Sequence, residues 1–128
     1  MNYTLANAEL AIMDLLWRRG RLTARQIREE LYPNVAKAQH GTVQRLLQRL
    51  EEKGFVERDR DLSIHFFTPI VSREAYAGQQ LEALAEKLTE GSVAPLITHL
   101  VEQKRISPEE IERLRAILRK ARKEGGDG

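Results

Sequence analysis

The sequence predicts a mainly α-helical protein with one small antiparallel hairpin. Several windows place apolar residues at i, i+3, i+4 and i+7, the spacing of one helix face. Residues that cap helix ends flank those windows. One stretch, residues 55–69, instead carries the β-branched and aromatic residues Val56, Ile64, Phe66 and Phe67, which favour strands.

The elements follow in order. Asn7 is a good N-cap residue, and the helix it opens runs to about Arg18, with Gly20 just beyond. Leu10, Met13 and Trp17 line one side of it and Ile12, Leu15 and Leu16 most of the rest, so burial over most of its circumference is expected. Leu22 fits a short strand. Thr23 and Gln26 form a capping-box pair, and the helix they open buries Ile27 and Leu31 before Tyr32-Pro33-Asn34 breaks it. A third helix starts between Ala38 and Thr42 and ends at Lys53-Gly54, where glycine suits the left-handed cap. Val43, Leu46, Leu47 and Leu50 form its core stripe, and Gln44, Arg45, Gln48 and Arg49 lie opposite. Residues 55–60 and 64–69 then read as two strands joined by Asp61-Leu62-Ser63.

Helix, short strand, helix, helix, hairpin is the order of a winged helix-turn-helix, which we assign to residues 1–71. Residues 72–124 read as a helical dimerisation region and residues 125–128 as a disordered tail. Ser72 caps a helix to about Leu88, with Ala77, Leu81, Leu84 and Leu88 spaced 4, 3 and 4. After Glu90-Gly91-Ser92, a shorter helix from about Ser92 to Gln103 carries Val93, Leu96, Ile97, Leu100 and Val101. Ser107, Pro108 and Glu110 are the cap, first position and N3 residue of a last helix bearing Ile111, Leu114, Ile117, Leu118 and Ala121. Three amphipathic helices of this size bury little alone. They fold back on the winged helix or pair with a second copy, and pairing is the expectation. The candidate interface residues are Leu81, Leu84, Leu88, Leu96, Ile97, Leu100, Ile111, Leu114 and Leu118.

Composition narrows the function. The 128 residues hold no cysteine, which removes disulfides and thiolate chemistry. The N-terminus has no secretory pattern and no apolar run suits a membrane span, so a cytoplasmic protein without membrane insertion is expected. The net charge is only +2, with 11 Lys and Arg against 9 Asp and Glu in residues 1–71 and 10 against 10 thereafter. A nucleic-acid surface must therefore be local. There is no phosphate-cradling glycine loop, no HExxH and no recognisable Ser/His/Asp arrangement, so no enzyme is expected. His40, His65 and His99 are too scattered for a metal motif, and no cofactor is expected. Periodicity alone fits a solvated amphipathic helix as well as a DNA reader, and some winged helices bind only proteins.

A resemblance adds to this reading. Residues 5–17, LANAELAIMDLLW, resemble the opening of the penicillinase-repressor family, of BlaI, MecI and CopY type. Residues 42–58, TVQRLLQRLEEKGFVER, look like that family's recognition helix and wing entry. Val71-Ser-Arg-Glu74 resembles its junction, and residues 92–102 with 106–114 its dimerisation region. The resemblance spans nearly the whole chain. It implies a homodimeric repressor of bacterial genes on a pseudo-palindromic double-stranded DNA operator, classically in β-lactam resistance or copper handling.

Within this reading Thr42 and Gln44 are the candidate base readers, through a hydroxyl and through an amide that pairs with adenine. Arg45 and Arg49 read guanine or hold phosphate, Lys37 touches phosphate, and Gln39 and His40 stand at the helix entrance. Arg58 and Arg60 are wing candidates, but Glu57, Asp59 and Asp61 alternate with them, so a neutral solvated hairpin is the competing reading. The wing tip Asp61-Leu62-Ser63 also lacks the Gly-Arg often found in the family. Absence of cysteine argues against the copper branch, which uses a cysteine cluster. The β-lactam branch implies a membrane metalloprotease sensor and release by cleavage between an Asn and a Phe. The aligned pair here is His99-Leu100, so no site carries over.

Overall fold

The computed structural model describes residues 3–34 and 37–124, in two compact units that divide between Gln80 and Leu81. The expected disordered tail at 125–128 lies outside the described residues. The first unit contains α1 (Asn7–Arg19), β1 (Leu22–Thr23), α2 (Ala24–Leu31), α3 (His40–Glu52), β2 (Val56–Asp59), β3 (Phe66–Pro69) and the first turns of α4 (Arg73–Leu88). The strands form one antiparallel sheet in the order β1-β3-β2. Leu22 pairs with Phe67 across β1 and β3, and Arg58 pairs with Phe67 from the other side. The fold is therefore mainly α with a small antiparallel sheet, a winged helix-turn-helix followed by further helices.

Local chemistry explains most of the boundaries. Thr23 Oγ1 accepts the Gln26 N–H at 3.1 Å while Gln26 Oε1 accepts the Thr23 N–H at 2.9 Å, the reciprocal cap read from the sequence. Gly54 has φ 82°, a left-handed conformation that ends α3 cleanly. Asp59 accepts the Asp61 N–H at 3.0 Å, a side-chain turn that closes β2. The core gathers Ile12, Met13, Leu15 and Leu16 from α1, Ile27 from α2, the four apolar stripe residues of α3, and Phe55, Val56 and Phe67. Each such side chain contributes about 1.5–3 kcal/mol relative to exposure.

Four local expectations are corrected. Asn7 is the first helical residue rather than the cap; Ala6 occupies the cap position, and Glu9 accepts the Ala6 N–H at 2.9 Å. Glu9 is recruited there because the same carboxylate binds Lys53, so a tertiary contact outweighs Asn7's capping preference. Leu10 is exposed, because the buried face of α1 is set by Glu9, Ile12, Met13 and Leu16. Ile64 lies outside β3, at 62% exposure, since pairing starts only at Phe66 opposite Asp59. The fifth helix begins at Ala94, not Ser92. Ser92 is held in the preceding turn, where its N–H donates to Thr89 O and its carbonyl accepts the Thr89 hydroxyl.

The start of α4 belongs to the first unit. Ser72 Oγ caps it by accepting the Ala75 N–H at 3.0 Å. The buried Tyr76 hydroxyl accepts the Leu5 N–H at 2.8 Å, and its ring meets Phe55 edge-on at 5.6 Å. Arg73 lies over Trp17, and Trp17 Nε1 donates to Val71 O at 2.8 Å.

The second unit holds the rest of α4, α5 (Ala94–Glu102) and α6 (Pro108–Glu124). Ser107 and Glu110 exchange the two capping bonds expected of them, at 3.0 and 3.1 Å. Pro95 sits in the first turn of α5, where its missing N–H costs nothing. Ala85 is buried, but no described residue of α5 or α6 is. Among the described residues no helix is long and apolar enough to cross a membrane.

Candidate nucleic-acid interface

The α3 helix is fixed on one side and open on the other. Val43, Leu47 and Leu50 are fully buried and Leu46 nearly so. Gln44, Arg45, Gln48 and Arg49 are exposed. No side chain caps the N-terminus of α3, and Gln39 stands at its cap position. Uncapped N–H groups and the helix dipole make such an end receptive to an anion.

The sequence candidates divide in space. His40, Gln44 and Arg45 line one open cleft of about 550 Å³ between the start of α2, the polar face of α3 and the wing. Arg58 lines it from β2. Thr42 is half-buried on α3, and Lys37 is exposed in the turn before it. Arg49 lies one turn beyond Arg45, and Arg60 lies past the end of β2. Neither of these lines the cleft. Arg25, Gln48 and His65 do line it, and sequence periodicity did not single them out as contacts. His40 Nδ1 is buried and has no hydrogen-bond partner among the described residues.

Charge separates the two arms of this surface. Among the described residues Arg45 and Arg49 make no ion pair, so both guanidinium groups are available. The wing differs. Glu51, in the last turn of α3, sits 3.4 Å from Arg58 Nε through one oxygen and 3.0 Å from an Arg60 guanidinium nitrogen through the other. Arg58 also stacks 4.8 Å from the centre of the Phe67 ring. Asp59 pairs with Arg21 at 3.0 Å, and the Asp61 N–H and then Arg21 hold its carboxyl below the usual range. Glu51 was missed from the sequence. Gly54 turns the chain so that β2 runs back beside the end of α3, which brings the alternate positions 58 and 60 to it.

At the far end of α3, Lys53 is bound to Glu9, which is 3% exposed. Among the described residues no group of three or more His, Asp or Glu side chains is placed to hold a metal ion.

Residues 5–120 match the family model described as Penicillinase repressor. The chain is 37% identical over 126 residues to the transcriptional regulator BlaI of Mycobacterium tuberculosis (strain ATCC 25618 / H37Rv), covering 97% of this chain and 88% of that protein. It is 29% identical over 118 residues to the methicillin resistance regulatory protein MecI of Staphylococcus aureus (strain N315), covering 92% and 95%. It is 23% identical over 114 residues to the penicillinase repressor of Bacillus licheniformis, covering 89% and 88%.

Proposed function

Because the chain belongs to the penicillinase repressor family, we propose that it is a dimeric, sequence-specific DNA-binding transcriptional repressor. The relatives it matches are regulators and repressors, not enzymes. The observation that carries the reading is the two-sided α3: an apolar stripe anchored in the core, and an exposed polar face bearing Arg45 and Arg49, which make no ion pair among the described residues.

In this reading α3 enters the major groove, which is about 12 Å wide and admits one helix. Thr42 and Gln44 contact base edges. Arg45 forks onto guanine O6 and N7, or onto phosphate. Lys37, Gln39 and His40 meet the backbone at the uncapped start of α3, and Arg49 meets it further along the helix. The cleft beside α3 then admits the strand that separates major from minor groove, with the wing on its far side.

The second unit supplies the dimer. Leu81, Leu84, Leu88, Ile97, Leu100, Leu114 and Leu118 are 37–66% exposed, and Leu96 and Ile111 are half-buried. Apolar surface of this extent on short helices is stabilised by a second copy. A two-fold dimer presents two α3 helices to a pseudo-palindromic operator. Release by a membrane metalloprotease sensor, which the family resemblance implies, is tested by whether a gene for such a protease adjoins this one. No cleavage site is assigned.

The deciding experiment is a gel shift on the DNA upstream of the protein's own gene across a salt series. A repressor neutralising several phosphates binds tightly at low salt and loses affinity steeply as salt rises. No shift at low salt would leave a winged helix that acts on proteins.

A further inference from the structure

The wing holds two arginines against three carboxylates between residues 56 and 69, and both arginines are turned toward one further carboxylate on α3. We propose that Glu51 is the positioning residue of the wing: its carboxylate ties Arg58 and Arg60 to the end of α3 and withholds both cations from DNA phosphate. The proposal rests on the DNA-binding reading and deepens it, by assigning the phosphate contacts to α3 and not to the wing.

The geometry carries this in three steps. Glu51 uses its two oxygens separately, one for each arginine, so a single carboxylate engages both. It is only 25% exposed, and Arg58 is 22% exposed beneath it, so water screens the Arg58 pair less than an open surface pair. Arg58 is held from a second side by the Phe67 ring, which fixes the guanidinium over β3. The neighbouring acid cannot substitute, because Glu52 is turned to Gln48 at 3.3 Å on the exposed face. Arg21, just before β1, is likewise engaged, because it pairs with Asp59 and stacks on Phe66 at 4.5 Å.

A phosphodiester approaching this wing therefore meets two guanidinium groups that share the single charge of Glu51, and it must draw Arg60, or the less exposed Arg58, away from that carboxylate. Such an exchange gains little, because one anion replaces another. The consequence is a wing that locates itself by intramolecular pairing and contributes little to counterion release.

The test is the slope of log K against log salt, measured on operator and on random duplex of equal length. Each phosphate newly neutralised steepens that slope by about 0.9. Glu51→Gln keeps the side-chain shape and removes the charge. The expected result is a slope steeper by about 1–2, with tighter binding at low salt on both duplexes. Arg58→Gln with Arg60→Gln should leave the slope of the otherwise native protein unchanged, and should abolish the gain when combined with Glu51→Gln. Three results overturn the proposal: an unchanged slope in Glu51→Gln, a gain that persists without the two arginines, or a shallower slope when the arginines alone are replaced. Thermal melting of each variant identifies any that fail to fold, and Glu51→Ala then repeats the measurement. If the native protein binds neither duplex at low salt, the DNA-binding reading fails and not this assignment alone.

Discussion

Both carboxylate oxygens of Glu9 accept from the Lys53 ammonium, at 3.0 and 2.9 Å, and join the first turn of α1 to the end of α3. Burial pushes the Glu9 carboxyl up, but the hydrogen bonds from Lys53 and from the Ala6 N–H outweigh it and hold the group below its ordinary value of 4.5. One acid thus caps a helix and fixes the far end of the proposed reading helix.

That pair predicts an acid-sensitive stability. A carboxyl whose folded pKa is depressed stabilises the fold fully above its unfolded pKa, and the contribution is lost as pH falls through the folded value. Stability should therefore decline below about pH 4.5, the ordinary value. The contributions of Asp14, Asp59 and Glu110, also held below their usual range, decline with it. Glu9→Gln should show a shallower decline than the native protein over the same range. Glu9→Ala should cost about 1–3 kcal/mol at neutral pH, because Lys53 and the Ala6 N–H lose their partner. Urea unfolding at a series of pH values measures both, and parallel curves for Glu9→Gln and native protein would remove Glu9 from the account.

A second prediction concerns Tyr76. Its hydroxyl is the acceptor for the buried Leu5 N–H, and its ring packs on Phe55 and Trp17. Tyr76→Phe keeps the packing and orphans one donor, so it should cost about 1–3 kcal/mol. Tyr76→Ala also deletes the ring and should cost about 3–5 kcal/mol. Equal losses in the two variants would mean that the hydroxyl, not the ring, supplies the stability.

What the sequence made legible was local. The Thr23–Gln26 and Ser107–Glu110 boxes, the α3 stripe and the Gly54 cap all lie within a few residues of their partners, and all are present. What was illegible depends on pairs distant in sequence. Glu9 takes its cation from Lys53, 44 residues away, and Asn7 loses its capping role for the same reason. Tyr76 lies outside the 77-81-84-88 series, yet it is the buried residue of the first turns of α4, because its partners come from Leu5 and Phe55. The site followed the same rule. The polar face of α3 was readable from periodicity, whereas the pairing of Arg58 and Arg60 with Glu51 required the chain reversal at Gly54.

The third prediction separates base reading from phosphate holding on α3. Arg45 is exposed, unpaired among the described residues and beside Gln44 in the cleft. If it reads a base, Arg45→Ala should weaken operator binding by about 1–3 kcal/mol and relax discrimination at one position. Arg49→Ala should weaken operator and random duplex equally and reduce the salt slope by about 1. Equal weakening on both duplexes by Arg45→Ala would make it a phosphate contact instead.

The fourth prediction tests the dimer. Leu118 is 65% exposed on α6 and Leu84 is 45% exposed on α4, too exposed for either to contribute much to the fold of one chain. If a second copy covers them, each Leu→Glu change removes a buried side chain twice per dimer, at about 1.5–3 kcal/mol for each copy. It also forces a carboxylate against apolar surface. Sedimentation equilibrium should then give twice the 14.7 kDa chain mass for the native protein and the single mass for Leu118→Glu at the same concentration. Folding of the first unit should be unaffected, because its core lies in residues 5–76. Operator affinity should fall at least tenfold in the same variant, since one reading helix reaches only one half-site. A native protein that sediments as a monomer, or a variant that stays dimeric, would place the interface elsewhere and leave the exposed leucines of α4 and α6 without a partner.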